Sequence, residues 1–179
     1  MTDPTPSSAP ATGTGPNLRE SLGIRANQLT MTVLMTPDMA NFAGNVHGGS
    51  ILKLLDQVAY ACAARYAGCY VVTLSVDQVT FLQPVHVGEL LNLLASVNYT
   101  GRTSMEVGIK VLAEEIHGGV IRHTNSCFFT MVAVDPEGRA VPVRPLQPQT
   151  EEEQRRFRAA TERRKLRAEI ARRLAGTHS

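Results

Sequence analysis

Tryptophan is absent from the sequence, and only three of the 179 residues are cysteines. Cys62, Cys69 and Cys127 have neither the even number of a disulfide framework nor the close pairs of a zinc site. Such a chain fits a reducing compartment, so we expect a cytoplasmic protein. His117 and His123 lack the spacing of metal ligands, and no metal is expected.

Long apolar runs and a strong net charge are also missing. No stretch approaches the roughly 18 to 20 apolar residues of a membrane span, and the first residues lack the pattern of a secretory signal. The net charge of +2 is too small to indicate a nucleic acid partner. Arginines are concentrated between residues 151 and 173, where a solvated helix that serves assembly is favoured over a phosphate site.

The composition changes along the chain, which indicates one folded domain with two distinct ends. Residues 1–20 contain few large apolar side chains, so we expect a disordered tail. Residues 25–145 carry the regular apolar patterns of a domain. Residues 149–175 should form a charged helix capped by Thr150, after a proline-rich connector.

The central region predicts an α+β fold. Apolar residues alternate from Gln28 to about Thr36, which is typical of a strand, and then recur at three- and four-residue steps from Gly48 to Ala67, which is typical of a helix. Four further strands are expected, with turn signals between them: Tyr70 to Phe81, Glu89 to Tyr99, Thr103 to Glu114 and Val120 to Val134. These strands should form an antiparallel sheet covered by the helix.

Four segments carry a resemblance to a known family. They are Gly44-Asn45-Val46-His47-Gly48-Gly49-Ser50-Ile51-Leu52-Lys53-Leu54-Leu55-Asp56, the strand from Val72 to Asp77, the turn from Gly101 to Glu106, and Val132 to Asp135. In this order they closely resemble the acyl-CoA thioesterases of the hot-dog superfamily, and most of all the cytosolic long-chain hydrolases of animals and their bacterial relatives. The resemblance implies an antiparallel sheet wrapped around a long central helix, and hydrolysis of acyl-CoA to fatty acid and CoA.

The resemblance also implies a site shared between subunits. In the animal enzymes one of two fused domains keeps a loop asparagine and the other keeps a helix aspartate. This chain has both, as Asn45 and Asp56, so a homodimer would hold two complete sites. Assembly of dimers to a tetramer or hexamer is expected from the same family.

The chemistry of thioester hydrolysis fits these residues. A carboxylate must activate water or attack, and donors must stabilise the oxyanion. Asp56 is the carboxylate, as general base or nucleophile, although pairing at a subunit interface is an alternative. The first amides of the helix, at Gly48 and Gly49, should be free to hold the oxyanion, and His47 is assigned a supporting role.

A second group of residues is assigned to CoA. Arg102, Thr103 and Ser104 lie at a turn before a strand and offer one cation and two hydroxyls to the phosphates, as the resemblance implies; a plain polar hairpin is the alternative. CoA belongs to the substrate, so no separate cofactor is expected. Two other functions stay open, a non-catalytic acyl-CoA-binding module and a hot-dog dehydratase, because function resides in the site and not in the scaffold.

Overall fold

The computed structural model describes residues 25–175. The predicted tail, residues 1–20, lies outside the described residues. Within the described residues, two α-helices and five strands follow one another in the order predicted, with a short 3-10 helix at Pro37–Met39 after the first strand. They are β1 (Gln28–Leu34), α1 (Gly48–Ala67), β2 (Val71–Val76), β3 (Leu90–Thr100), β4 (Ser104–Glu114), β5 (Ile121–Ala133) and α2 (Glu151–Ala175).

The five strands form one antiparallel sheet in the order β1-β3-β4-β5-β2, which confirms the α+β prediction. Alternate residues of β3, β4 and β5 are buried against α1. The helix contributes its own apolar stripe to this core, which includes Ile51, Leu55, Val58 and Cys62. We call this side of the sheet the inner face and the opposite side the outer face.

The bounds of α1 agree with the predicted helix, and each end has a local cause. His47 is the N-cap, and its ring nitrogen Nδ1 accepts a hydrogen bond of 3.0 Å from the Gly49 amide. Gly68 ends the helix in the left-handed region at φ 73°, and its amide donates to Ala64 O at 2.9 Å. Glycine is favoured there because it lacks a Cβ.

The predicted strand from Tyr70 to Phe81 is wrong in length, because β2 ends at Val76. Its pairing with β5 shifts between Thr73 and Ser75, which is the signature of a β-bulge. Beyond Val76 only the amides of Asp77 and Leu82 still donate to β5. The other three predicted strands agree with β3, β4 and β5 to within one residue at each end.

Helix α2 lies across the outer face of the sheet. Thr150 caps it as predicted: its hydroxyl accepts a hydrogen bond from the Glu153 amide, and the Glu153 carboxylate accepts one from the Thr150 amide. The same carboxylate is buried and also accepts hydrogen bonds from Arg25, Asn27 and Gln28 at the start of β1. One side chain therefore starts α2 and attaches it to the sheet.

A buried ionic cluster fixes the middle of α2. Glu106 on β4 is only 2% exposed, and its carboxylate accepts hydrogen bonds from Arg163 and Arg167, each at 2.6 Å. Arg167 also donates to Asp77 at 2.7 Å. A buried carboxylate is tolerated only when it is paired, so removal of either arginine would leave an unfavourable charge. Burial alone would lower the pKa of Arg167, but Glu106 and Asp77 raise it overall.

Candidate active site

Asp56 lies in the third turn of α1, and its carboxylate oxygen Oδ1 accepts a hydrogen bond of 2.7 Å from Thr73 Oγ1 on β2. Its sequence neighbours Leu54 and Leu55 are buried in the core, whereas Asp56 is exposed on the other side of the helix. Because the helix turns Asp56 away from the core, its ionised carboxylate stays in contact with solvent and is not buried among apolar side chains. A β-bulge follows Thr73 in the pairing of β2 with β5.

Exposed apolar side chains flank Asp56 on α1 and Thr73 on β2. Leu52 and Tyr60 lie four residues before and after Asp56 on α1 and are each about 40% exposed. Val72 and Leu74, on either side of Thr73 in β2, are also exposed, Leu74 to 68%. Among the described strands, β2 pairs with β5 only, so one edge of β2 is open. An open edge with exposed apolar side chains is typical of a surface that another chain covers.

The start of α1 corrects one expectation about the oxyanion donors. The Gly49 amide is not free, because the ring of His47 caps it. This cap requires that Nδ1 of His47 carries no hydrogen. The Gly48 amide makes no hydrogen bond to any residue that the structure describes, and the Phe81 ring lies beside it, about 3.6 Å from the place of a Gly48 Cβ. Gly48 is thus the donor that remains.

Asn45 lies in the loop before α1 and is held by its side chain. Its carbonyl oxygen Oδ1 is 2.9 Å from Nδ1 of His86, so the His86 ring must carry its hydrogen on that nitrogen. Asn41 lies in the same loop, where its carbonyl oxygen Oδ1 accepts hydrogen bonds from the amides of Ala43 and Asn45. Asn41 was not among the predicted site residues, although it belongs to the same loop as Asn45.

One chain does not bring these groups to one point. Gly48 and Asp56 are separated by eight residues on the same helix, which corresponds to roughly 12 Å along its axis at 1.5 Å per residue. A thioester carbonyl needs its donors and its carboxylate within hydrogen-bonding distance, about 3 Å. Within the described chain, Asp56 and Thr73 lie together, and Gly48 with the asparagine loop lies apart from them.

The predicted CoA residues lie at the β3-β4 turn, at the same end of the sheet as Thr73. Ser104 is aligned with Val132 of β5, which in turn is aligned with Val72 of β2. Two strand spacings separate Ser104 from β2, which is roughly 10 Å. Arg102 is exposed and Thr103 is partly exposed. These side chains are accessible to a ligand that extends from the edge of β2.

The structure also answers two questions about ligands and membranes. Between residues 25 and 175, no group of three or more histidine, cysteine or acidic side chains is arranged to hold a metal ion. None of the described helices is long and apolar enough to cross a membrane. All three cysteines are free thiols, with Cys62 and Cys127 buried.

Comparison with known proteins identifies the family. Residues 43–120 match the model of the thioesterase superfamily. Protein VdlD of Helicobacter pylori is 53% identical over 140 residues, which cover 78% of this chain and 80% of VdlD. The cytosolic acyl coenzyme A thioester hydrolase of Homo sapiens is 34% identical over a match that covers 73% of this chain and 35% of that protein.

A solved apo-hexameric acyl-CoA thioesterase is 39% identical, with a TM-score of 0.78, and the match covers 80% of this chain and 92% of that one. The chain belongs to the acyl-CoA thioester hydrolases. The acyl-CoA hydrolase of Staphylococcus aureus, solved with butyryl coenzyme A, coenzyme A and coenzyme A disulfide, is 28% identical, with a TM-score of 0.74 over 83% of this chain and 93% of that one. The predicted hot-dog fold of this thioester hydrolase is confirmed.

Proposed function

We propose that this chain hydrolyses acyl-CoA thioesters to a fatty acid and free CoA. The observation that carries the proposal is the exposed carboxylate of Asp56, held by Thr73 and flanked on α1 by the apolar surface of Leu52 and Tyr60. Membership of the acyl-CoA thioester hydrolases supports it. The apolar surface suits an acyl chain, and the carboxylate suits the attack of water on its thioester carbon.

The reaction adds one water to the thioester. Thr73 occupies Oδ1 of Asp56 and leaves Oδ2 without a partner among the described residues. This oxygen removes a proton from the water that attacks the carbonyl carbon, or it attacks that carbon itself and forms an anhydride, which water hydrolyses after CoA has left. The carbonyl oxygen becomes negative, and the Gly48 amide at the positive end of α1 stabilises it. The C–S bond then breaks and the CoA sulfur takes a proton.

The complete site requires two chains. We propose that the open edges of β2 from two copies meet, which covers Leu74 and its apolar neighbours and removes both edges. An interface related by a two-fold axis places the same patch on both subunits. Each site then takes Asp56 from one subunit and the Gly48 amide with the loop asparagine from the other. The dimer therefore has two sites.

Two loop asparagines compete for the positioning role. Asn45 is the predicted residue, and its carbonyl is engaged by His86. Solved variants of the Staphylococcus aureus acyl-CoA hydrolase replace an asparagine, an aspartate and a threonine by alanine, with separations of 15 and then 17 residues along its chain. Asn41, Asp56 and Thr73 have the same two separations here. The matching separations favour Asn41 over Asn45. The hydrogen bond between Thr73 and Asp56 supports the same alignment.

The remaining assignments complete the proposal. Arg102, Thr103 and Ser104 bind the phosphates of CoA, because they are accessible near the edge of β2. The reaction needs no cofactor besides the CoA of the substrate.

Dimers assemble further, as the hexameric relative does, and size-exclusion chromatography with light scattering measures the final number of chains. The three free thiols and the cytosolic human relative support a cytoplasmic location.

The function is tested by the loss of thioester absorbance with acyl-CoAs of increasing chain length. Wild type should turn over at least one of them, with or without a metal chelator, and Asp56→Asn should lose nearly all activity while it keeps its oligomeric size. A wild type that binds acyl-CoA without turnover would indicate a binding module. Conversion of hydroxyacyl-CoA to enoyl-CoA without CoA release would indicate a dehydratase.

A further inference from the structure

A cavity of about 550 Å³ lies between α2 and the outer face of the sheet. It is on the opposite side of the sheet from α1, so it is separate from the surface that holds Asp56. The size falls within the range of pockets that hold small molecules, about 300 to 1,000 Å³. Its walls come from β1, β3, β4, β5 and the first half of α2.

Positive charge dominates this outer cavity. Four cationic side chains line it, namely Lys110, Arg155, Arg156 and Arg163. One lining carboxylate, Glu152, accepts hydrogen bonds from Arg155 and Arg156, and Glu106 accepts them from Arg163. Two cations therefore remain in excess. Lys110 makes no hydrogen bond to any described residue, which leaves its ammonium group available.

A buried amide adds an unused donor. Asn98 on β3 is 4% exposed, and its carbonyl oxygen accepts a hydrogen bond of 2.8 Å from Ser96. Its amide nitrogen Nδ2 has no partner among residues 25–175, although it lies on the cavity wall. Gly108 provides the space for this amide, because a Cβ at that position would overlap it. This donor faces the cavity, so an oxygen of a ligand there can accept its hydrogen bond.

Apolar side chains form another part of the wall. Leu29, Leu94 and Phe128 line the cavity, and the Arg163 guanidinium lies 3.6 Å from the centre of the Phe128 ring. We propose that the outer cavity is a second ligand site, which binds a small organic phosphate. The two excess cations match the charge of a phosphate monoester, the Asn98 amide donates to its oxygens, and the apolar wall contacts its organic part.

Calorimetric titration of the full-length protein with phenyl phosphate tests this proposal without any measurement of hydrolysis. We expect one molecule bound per chain, more tightly than inorganic phosphate because of the apolar wall. Lys110→Gln should weaken binding about tenfold, since a hydrogen bond to a charged group is removed. Asn98→Asp, which places a negative charge against the ligand, should weaken it further. Arg158→Gln is the matched control, because this exposed arginine of α2 is outside the cavity, and its dissociation constant should equal that of the wild type.

The same titration in the presence of saturating CoA distinguishes this site from the substrate site. Binding that persists with CoA and depends on Lys110 supports a second site. Displacement by CoA would overturn it, because the phosphate would then occupy the CoA site. Failure of phenyl phosphate to bind, or equal weakening by Arg158→Gln and Lys110→Gln, would overturn it as well. Unfolding curves establish whether each variant is folded. If Asn98→Asp does not fold, Lys110→Gln still tests the proposal.

Discussion

Thr73 of β2 donates a hydrogen bond of 2.7 Å to Asp56 of α1, and this contact joins the central helix to the open edge of the sheet. The bond fixes the rotamer of the carboxylate and leaves its other oxygen directed away from Thr73. A base or nucleophile acts only when it is held in the geometry of attack. The relationship therefore assigns Thr73 a positioning role in the proposed reaction.

Replacement of Thr73 by valine should lower kcat/KM about ten- to a hundredfold, because a hydrogen bond to a charged group contributes roughly 1.5 to 3 kcal/mol. Thr73→Ser keeps the hydroxyl and should retain most of the activity. Steady-state kinetics on both variants measures the difference. Equal activity of the valine and serine variants would show that the hydroxyl does not act on Asp56.

The loop asparagines make separable predictions. Asn41→Ala should reduce kcat strongly, whereas Asn45→Ala should have the smaller effect, because its side chain is held by His86. His86→Phe removes the same contact and should behave like Asn45→Ala if that contact is structural. Kinetics and unfolding curves on all three variants check this. A catalytic loss confined to Asn45→Ala would restore Asn45 as the positioning residue.

The three thiols should react very differently. Burial raises the pKa of Cys62 to about 11, against an opposing effect of Arg65, and burial with the nearby Asp77 raises that of Cys127 to about 12. Both are therefore protonated at neutral pH and react slowly, because the thiolate is the reactive form. Cys69 is partly exposed.

Mass spectrometry after brief alkylation should show one label, on Cys69, in the native protein and three labels in denaturant. Rapid native labelling of Cys62 would contradict the buried core around α1. The result also affects the assay, since a thiol-reactive dye for released CoA would react with Cys69. A Cys69→Ser background removes that signal, and its own turnover by thioester absorbance provides the comparison.

Glu153 should make the stability depend on acidic pH. Burial raises its pKa, but hydrogen bonds from Gln149, Asn27 and Thr150 and the charge of Arg25 lower it overall below the ordinary 4.5. A lowered pKa in the folded state contributes stability that is present above about pH 4.5 and is lost as pH falls through the folded value. Protonation therefore weakens the attachment of α2.

Glu153→Gln should lower the free energy of unfolding by about 1 to 3 kcal/mol at neutral pH, and the difference from wild type should shrink below the folded pKa of Glu153. Denaturant unfolding over this pH range measures both effects. Glu151→Gln changes an exposed acid of the same turn and serves as the control. A constant difference at every pH would show that the carboxylate charge has no part in attaching the helix.

The sequence could predict α1 to the residue because its causes are local. Apolar residues recur with the helical period, and Gly68 supplies the left-handed end. The end of β2 could not be predicted in this way. The apolar pattern continues past Val76, but the shift in pairing at Thr73 and Ser75 and the ion pair of Asp77 with Arg167 depend on distant residues.

The candidate site could be predicted only in part, because some of its contacts also depend on residues that are distant in sequence. Asp56 is conspicuous as an acid within an apolar helix, and its proposed role rests on the family resemblance together with the chemistry of thioester hydrolysis. Thr73 is one polar residue in a strand, and nothing in its sequence neighbourhood connects it to a helix 17 positions earlier. The capture of the Gly49 amide by His47 depends on a ring orientation that the sequence does not specify.

Mixing two inactive variants tests whether Asp56 of one subunit acts with the loop asparagine of another. Asp56→Ala and the inactive asparagine variant are purified separately, mixed in equal amounts under conditions of subunit exchange, and assayed for acyl-CoA hydrolysis. Random exchange yields mixed dimers with one intact site each, so about a quarter of the wild-type rate should return. Mixed dimers that form, by mass spectrometry, without any recovery of activity would contradict the shared site.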